Sequence, residues 1–142
     1  METIASRPRV VVIGGGFGGL ALAQALKNAP VDITLIDRTN HHLFQPLLYQ
    51  VATAALSPGD IAVSLRSIFR NQKNIELLMN EAIHIDRKHK RVYLRSKDAV
   101  PYDYLILAVG AETTYFGQNE WEANAPGLKS LSDALKIRER LL

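Results

Sequence analysis

The sequence of 142 residues contains no cysteine. Within it, that excludes a structural disulfide, a cysteine-ligated metal site and a redox-active dithiol. No apolar run approaches the roughly 20 residues a membrane-spanning helix needs. Residues 1–8 lack a charged start leading into an apolar core, so cytoplasmic synthesis without a cleaved leader is expected. A large excess of one charge sign is missing too: 17 Lys and Arg against 14 Asp and Glu leave a net charge of +3. The local basic group Arg87, Lys88, Lys90, Arg91, Arg95 and Lys97 therefore reads as a solvated hairpin, and no nucleic-acid partner is expected. No histidine or acidic pair stands at a spacing suited to a metal, so no metal site is expected.

What is present is 47% apolar and 22% charged residues, the balance of a globular α/β domain large enough to bury a core. The organising stretch is Arg9-Val10-Val11-Val12-Ile13-Gly14-Gly15-Gly16-Phe17-Gly18-Gly19-Leu20. A short β-branched strand feeds a glycine loop, and an alanine-rich helical pattern follows at once. Gly14, Gly16 and Gly19 fill G-x-G-x-x-G between that strand and helix, the context a dinucleotide-binding fingerprint requires. In such a loop Gly14 serves the tight turn, Gly16 the approach of a pyrophosphate, and Gly19 the close packing of helix on strand. The pyrophosphate sits at the helix N-terminus, where unpaired N–H groups and the helix dipole favour negative charge.

The first strand, Val10 to Ile13, is apolar on both faces, as in a central parallel strand. The helix is expected to run to about Asn28, ended by Asn28-Ala29-Pro30. A second strand, Val31 to Asp37, ends in an acid 18 residues beyond Gly19. That is close to the spacing at which a carboxylate meets an adenosine ribose, and a carboxylate there disfavours a 2′-phosphate. The bland reading of Asp37 is a solvated strand-end acid. Residues 38–56 are long for a connection and too apolar for disorder, and read as an apolar wall with a short helix after Pro46. Within it His41 and His42 read as loop or capping residues. Gln45 either donates beside a bound ring system or faces solvent.

Ser57-Pro58-Gly59-Asp60 signals a helix start, with Ile61, Leu65, Ile68 and Phe69 as one apolar stripe. A strand follows over Ile75 to Met79. Then Ile83, Ile85 and Val92, Leu94 flank Arg87-Lys88-His89 as a hairpin, with a third strand after Ser96-Lys97-Asp98. His84 alternates into that hairpin as a packed or half-exposed residue. This antiparallel meander, over residues 81–100, stands where a second helical crossover would otherwise sit. Tyr104 to Val109 is the next buried strand, and Gly110 at its end lets a ligand come close to backbone. Residues 115–127 read as a loop in which Trp121 packs as a lid or plug. Ser130 to Leu142 is helical, with Leu131, Ala134, Leu135, Leu141 and Leu142 on one side. That helix reaches Leu142 without a C-cap, from which a longer protein is expected.

Several of these segments together resemble the type II NADH dehydrogenases, flavoproteins of the wider pyridine nucleotide-disulfide oxidoreductase-like class. The resemblance rests on residues 11–20, on Asn-His-His-Leu-Phe-Gln-Pro-Leu-Leu-Tyr-Gln-Val-Ala (40–52), on residues 101–111 and on Tyr-Phe-Gly-Gln-Asn-Glu-Trp-Glu (115–122). It implies an α/β, Rossmann-like FAD-binding domain with a mostly parallel sheet and a small antiparallel meander, incomplete at its C-terminal end. Residues 1–142 would be the N-terminal part of that domain, without the NADH-binding domain.

By the same resemblance, the loop residues Gly14, Gly16, Phe17, Gly18 and Gly19 contact the FAD diphosphate. Asp37 holds the adenosine ribose, Arg38 flanks the adenine, and Ala82 pairs with the adenine edge through its backbone. Gln45, Pro46 and Leu47 approach the isoalloxazine ring, and Ala108 and Gly110 lie near the diphosphate or ribityl chain. The family passes a hydride from NADH to the flavin and then reduces a membrane quinone. No side chain needs to act as a strong acid or base, because the flavin carries the redox chemistry. The whole protein would sit on the inner, cytoplasmic face of a membrane, with a homodimer left open. The 142 residues alone are expected not to oxidise NADH. Two departures are Asp37, where glutamate is frequent in the wider class, and Ala108-Val109-Gly110, which lacks the family's usual threonine. Another FAD-dependent pyridine-nucleotide reductase or monooxygenase, or a nucleotide-binding module without turnover, are the alternative readings.

Overall fold

A computed structural model describes residues 6–142. They fall into two compact units. One runs through His42 and resumes over Ser64–Gly110; the other comprises Leu43–Val63 and Ala111–Leu142.

The first unit is built on a four-stranded parallel sheet. In spatial order its strands are β5 (Ile75–Met79), β2 (Asp32–Asp37), β1 (Arg9–Ile13) and β9 (Tyr104–Leu107). β1 is central, in register with β2 from Arg9↔Asp32 to Ile13↔Ile36 and with β9 from Val10↔Tyr104 to Ile13↔Leu107. Alternation along a strand buried on both faces explains why β1 is apolar from Val10 to Ile13. Val10 and Val12 pack on one side with Ala23, Leu65 and Phe69. Val11 and Ile13 pack on the other with Val92, Leu94 and Tyr102. The second cluster comes from an antiparallel meander: β6 (Ala82–Asp86), β7 (Arg91–Leu94) and β8 (Ala99–Pro101). It covers a face that a helix covers in a doubly wound sheet.

Helix α1 spans Phe17–Ala25, shorter than the expected run to Asn28. The amide side chains of Gln72 and Asn74 take carbonyls in its last turn and in the segment beyond it. Gln72 Nε2 donates to Ala23 at 2.9 Å, and Asn74 Nδ2 donates to Leu26, Ala29 and Val31 at 3.0, 3.3 and 3.2 Å. These bonds satisfy carbonyls a helix end leaves orphaned, and they steer the chain into β2.

The expected helix from Ser57 to Phe69 is broken. Asp60 accepts from the Ser57 N–H and hydroxyl, both at 2.7 Å, and α3 (Pro58–Ile61) starts as its signal predicts. The chain then turns extended in β4 (Ala62–Ser64) before α4 (Leu65–Ile68). The cause is pairing with β3 (His41–Leu43). At the two ends of this pairing Phe44 N–H donates to Ile61 O at 2.8 Å and Leu65 N–H to Asn40 O at 3.2 Å. A ladder to a distant segment overrides the local helical pattern. It also places His41 and His42 in a strand, where a loop was expected.

In the second unit a 3₁₀ turn (Gln45–Leu47) leads into α2 (Leu48–Ala52). Leu48, Val51, Ala52, Ile61 and Ala134 form its core, the last from α5 (Leu131–Leu141). Ser130 caps α5, accepting from Asp133 N–H at 3.1 Å while Asp133 accepts from Ser130 N–H at 2.9 Å. Ala134 is buried, with Leu131 and Ile137 half-buried beside it; Leu135, Leu141 and Leu142, expected on the same stripe, are exposed. Trp121 lies in a 3₁₀ turn (Asn119–Ala123) and is 55% exposed, so it plugs nothing among the described residues. No helix among the described residues is long and apolar enough to cross a membrane.

Candidate functional site

Parallel strands place all their C-terminal ends at one edge of a sheet, where open α/β folds bind ligands. At that edge β1 runs into the glycine loop. The ladder continues one residue further, with Gly14 N–H donating to Ile36 O and Ala108 N–H to Ile13 O, both at 2.8 Å. Gly14 has φ +104°, and a Cβ there would fall on the Ala108 carbonyl, so both conformation and space require glycine. A Cβ on Gly19 would fall on the Gly14 carbonyl oxygen and lie 3.3 Å from Val12 Cγ1. The first turn of α1 therefore rests directly on the strand it follows.

Gly16 is different. It caps α1 at φ −71° and ψ −164°, a conformation open to any residue, and a Cβ there would meet nothing within 4 Å. Internal packing does not demand glycine at this position. The space beside it fits a group that comes close to backbone.

Both polar backbone groups of Gly15 are held by side chains. Its N–H donates to Asp37 Oδ2 at 2.6 Å, and its carbonyl lies 3.1 Å from Nδ1 of the buried His42. Phe17, the first residue of α1, meets the same imidazole edge-on, with ring centroids 4.9 Å apart at 86°. Asp37 ends β2, and its Oδ1 accepts from Thr39 N–H at 2.7 Å and Thr39 Oγ1 at 2.8 Å. A carboxylate offers about four acceptor sites. Among the described residues three are used, which leaves room for one hydroxyl donor. Beside it a hollow is lined by Leu35, Asp37, Thr39, Asn40, Arg66 and Met79.

The remaining expected residues of this unit gather at the same edge. Gly18 packs toward Ala108, whose Cβ would lie 3.8 Å from a Cβ built on it, and Gly110 adopts φ +73° with open space around it. Arg38 directly follows β2. Asn80 N–H donates to Asp37 O at 2.9 Å, which brings the start of β6, Ala82, to the end of β2. Gln45, Pro46 and Leu47 belong to the second unit. There Gln45 Nε2 donates to Lys129 O at 3.3 Å, and Leu47 packs on the Leu48–Val51 core.

Thr39 and His42 were missing from the expected set. An acid two residues before a threonine is a readable turn signal, since Asp bonds the backbone N–H two residues on. His42 has no such signal, because its partner lies 27 residues away. The opposite edge of the sheet carries a structural pair. Arg9 donates to Asp103 through its N–H, Nε and Nη2 at 2.7, 3.1 and 3.0 Å, and these bonds lower the Asp103 carboxyl to about 2.

This geometry has known counterparts. The sequence profile described as Pyridine nucleotide-disulphide oxidoreductase matches residues 8–142. The chain is 54% identical over 144 aligned residues to the type II NADH:quinone oxidoreductase NdhA of Mycobacterium tuberculosis, covering 99% of the chain and 31% of the relative. It is 30% identical to an Arabidopsis thaliana mitochondrial external alternative NAD(P)H-ubiquinone oxidoreductase, B2, of which it covers 26%. Among solved structures, NDH2 from Plasmodium falciparum in complex with NADH superposes with a TM-score of 0.84 at 30% identity, over 94% of this chain and 28% of that one. The sulfide:quinone oxidoreductase of Aquifex aeolicus superposes with a TM-score of 0.85 at 33% identity, covering 94% and 31%. The chain thus spans about a third or less of the length of these relatives. With no cysteine in the sequence, the disulphide chemistry in the family's description has no reacting sulfur within these residues. A parallel sheet, a glycine loop braced on its second strand and a profile match over nearly the whole sequence agree: the chain belongs to the pyridine nucleotide-disulphide oxidoreductase family.

Proposed function

We propose that this chain supplies the diphosphate- and ribose-binding part of an FAD-dependent NADH:quinone oxidoreductase. The observation that supports it best is the braced glycine loop. Gly14 and Gly19 are glycine because the fold leaves no room for a Cβ, whereas Gly16 is glycine beside open space. Such a loop fits the diphosphate of a dinucleotide at the N-terminus of α1, and the remaining acceptor site on Asp37 fits one ribose hydroxyl.

Bound here, FAD would supply the two-electron chemistry that carries a hydride from NADH on to a quinone. The residues here bind and orient. Gly14, Gly16, Phe17, Gly18 and Gly19 hold the diphosphate. Asp37 holds the ribose, with Arg38 and the Ala82 backbone at the adenine. Ala108 and Gly110 border the chain leading to the flavin, and Gln45, Pro46 and Leu47 serve the isoalloxazine ring. None of them transfers a proton. The NADH-binding domain is not among residues 1–142, and NADH and quinone engage the whole protein on the inner face of a membrane, as a monomer or homodimer.

A melting titration tests this. Ligand that binds only the folded state stabilises by about 2.7 kcal/mol at a hundredfold excess over its dissociation constant. FAD is expected to raise the melting temperature by roughly 5 to 10 °C at that excess, and NADH is not. An unchanged melting temperature up to millimolar FAD rejects the reading.

A further inference from the structure

His42 is a buried polar side chain that the proposed function leaves without a role. Its Nδ1 faces the Gly15 carbonyl at 3.1 Å. A carbonyl carries no proton, so Nδ1 must donate, and in the neutral ring the lone pair then sits on Nε2. The Gly15 carbonyl and the Gly16 N–H belong to one peptide unit. No peptide bond among the described residues is cis, and in a planar trans unit C=O and N–H point in opposite directions. Drawing the carbonyl onto the buried imidazole therefore turns the Gly16 N–H the other way. Phe17 packs edge-on against the same ring, so His42 touches the residues before and after Gly16. On the other side of Gly15, Asp37 holds the N–H at 2.6 Å and stops the loop from rotating as a body.

We propose that His42 is a positioning residue that aims the Gly16 N–H at the diphosphate by holding the Gly15–Gly16 peptide in one orientation. This rests on the cofactor reading above. Released from His42, the peptide is free to flip and present its carbonyl oxygen. An anionic diphosphate would then meet an acceptor in place of a donor. His42 thus selects the loop state that attracts an anion over the one that repels it. Because glycine resists rotation less than any other residue, Gly15 and Gly16 need such an external hold.

The test uses the ¹⁵N-labelled chain and FAD as the probe. In wild type, the His42 nitrogen shifts are expected to report a proton on Nδ1, and added FAD is expected to move the Gly16 amide resonance. His42→Phe keeps a ring against Phe17 but removes the donor, and its FAD dissociation constant is expected to rise about tenfold, the weight of one well-made hydrogen bond. His42→Asn carries an N–H donor on the same γ branch and is expected to restore binding to within about threefold of wild type. A purely structural role would not be rescued by asparagine, which loses the ring packing as well. The wild-type tautomer needs no variant to fold. An Nε2–H tautomer, or His42→Phe binding FAD within about threefold of wild type, overturns the positioning role alone. A wild-type chain with Nδ1–H whose Gly16 amide ignores FAD overturns the cofactor reading, and the diphosphate role of His42 with it.

Discussion

Gly16 and Gly19 sit three residues apart in one motif, yet the structure predicts opposite outcomes for alanine at each. Helix propensity alone favours Gly19→Ala, since alanine in a helix gains about 1 kcal/mol over glycine. But the new Cβ would fall on the Gly14 carbonyl oxygen and crowd Val12 Cγ1 at 3.3 Å. The Gly14 carbonyl is backbone and the Val12 side chain is fully buried, so neither swings aside. Gly14 is tied to Ile36 O at 2.8 Å and has Ala108 against it, so α1 must lift off the sheet. Overpacking costs about 1–3 kcal/mol, and a clash with backbone falls at the upper end, about 2–3 kcal/mol, which outweighs the propensity gain. The net loss of roughly 1–2 kcal/mol lowers the melting temperature by about 3–8 °C. Gly16→Ala meets nothing within 4 Å and costs at most about 1 kcal/mol as a poorer helix cap. Its methyl group instead occupies the space proposed for the diphosphate, so FAD affinity is expected to fall at least about tenfold. Thermal melts and FAD titrations on the two variants separate these effects. A Gly19→Ala chain as stable as wild type, or a Gly16→Ala chain that binds FAD normally, would refute the reasoning.

Three further outcomes follow from the same contacts. Asp37→Asn cannot accept from both Gly15 and Thr39, because its amide nitrogen faces one of those donors. Faster hydrogen exchange at the Gly15 amide and at least about tenfold weaker FAD binding are expected, and unchanged exchange would count against the brace. Asn74→Ala strips the donors from the carbonyls of Leu26, Ala29 and Val31, costing about 1–3 kcal/mol in a urea titration. The bonds from Arg9 lower the Asp103 carboxyl from 3.8 to about 2. Its contribution to stability is therefore complete above its ordinary value and is lost as the pH falls toward the lower one. Asp103→Asn should flatten the melting-temperature slope between pH 2 and 4; an unchanged slope assigns it to other acids, such as Asp86, held low by the His89 N–H.

Local signals were legible where short-range chemistry decides the outcome. The β-branched run before Gly14 forms the central strand, Ser57-Pro58 and Ser130 start helices, and alternation over 83–94 forms a hairpin. The glycine pattern and Asp37 at its spacing come together at one sheet edge, because both features lie within one strand-helix-strand unit. Three of the departures share one reason. The helix from Ser57 was cut by β4, α1 was ended by Gln72 and Asn74, and His42 became a buried brace. Each outcome depends on a hydrogen bond to a segment 17 to 49 residues away, and no periodicity in a single stretch encodes such a partner. The sequence by itself determined that a glycine loop joins a strand to a helix with an acid at the next strand end. The motif also implied packing at Gly19 and a ligand's approach at Gly16, but only the tertiary structure decided what excludes a Cβ at the one and leaves space at the other. A Cβ clash exists only once Ala108 and the Gly14 carbonyl have been brought together.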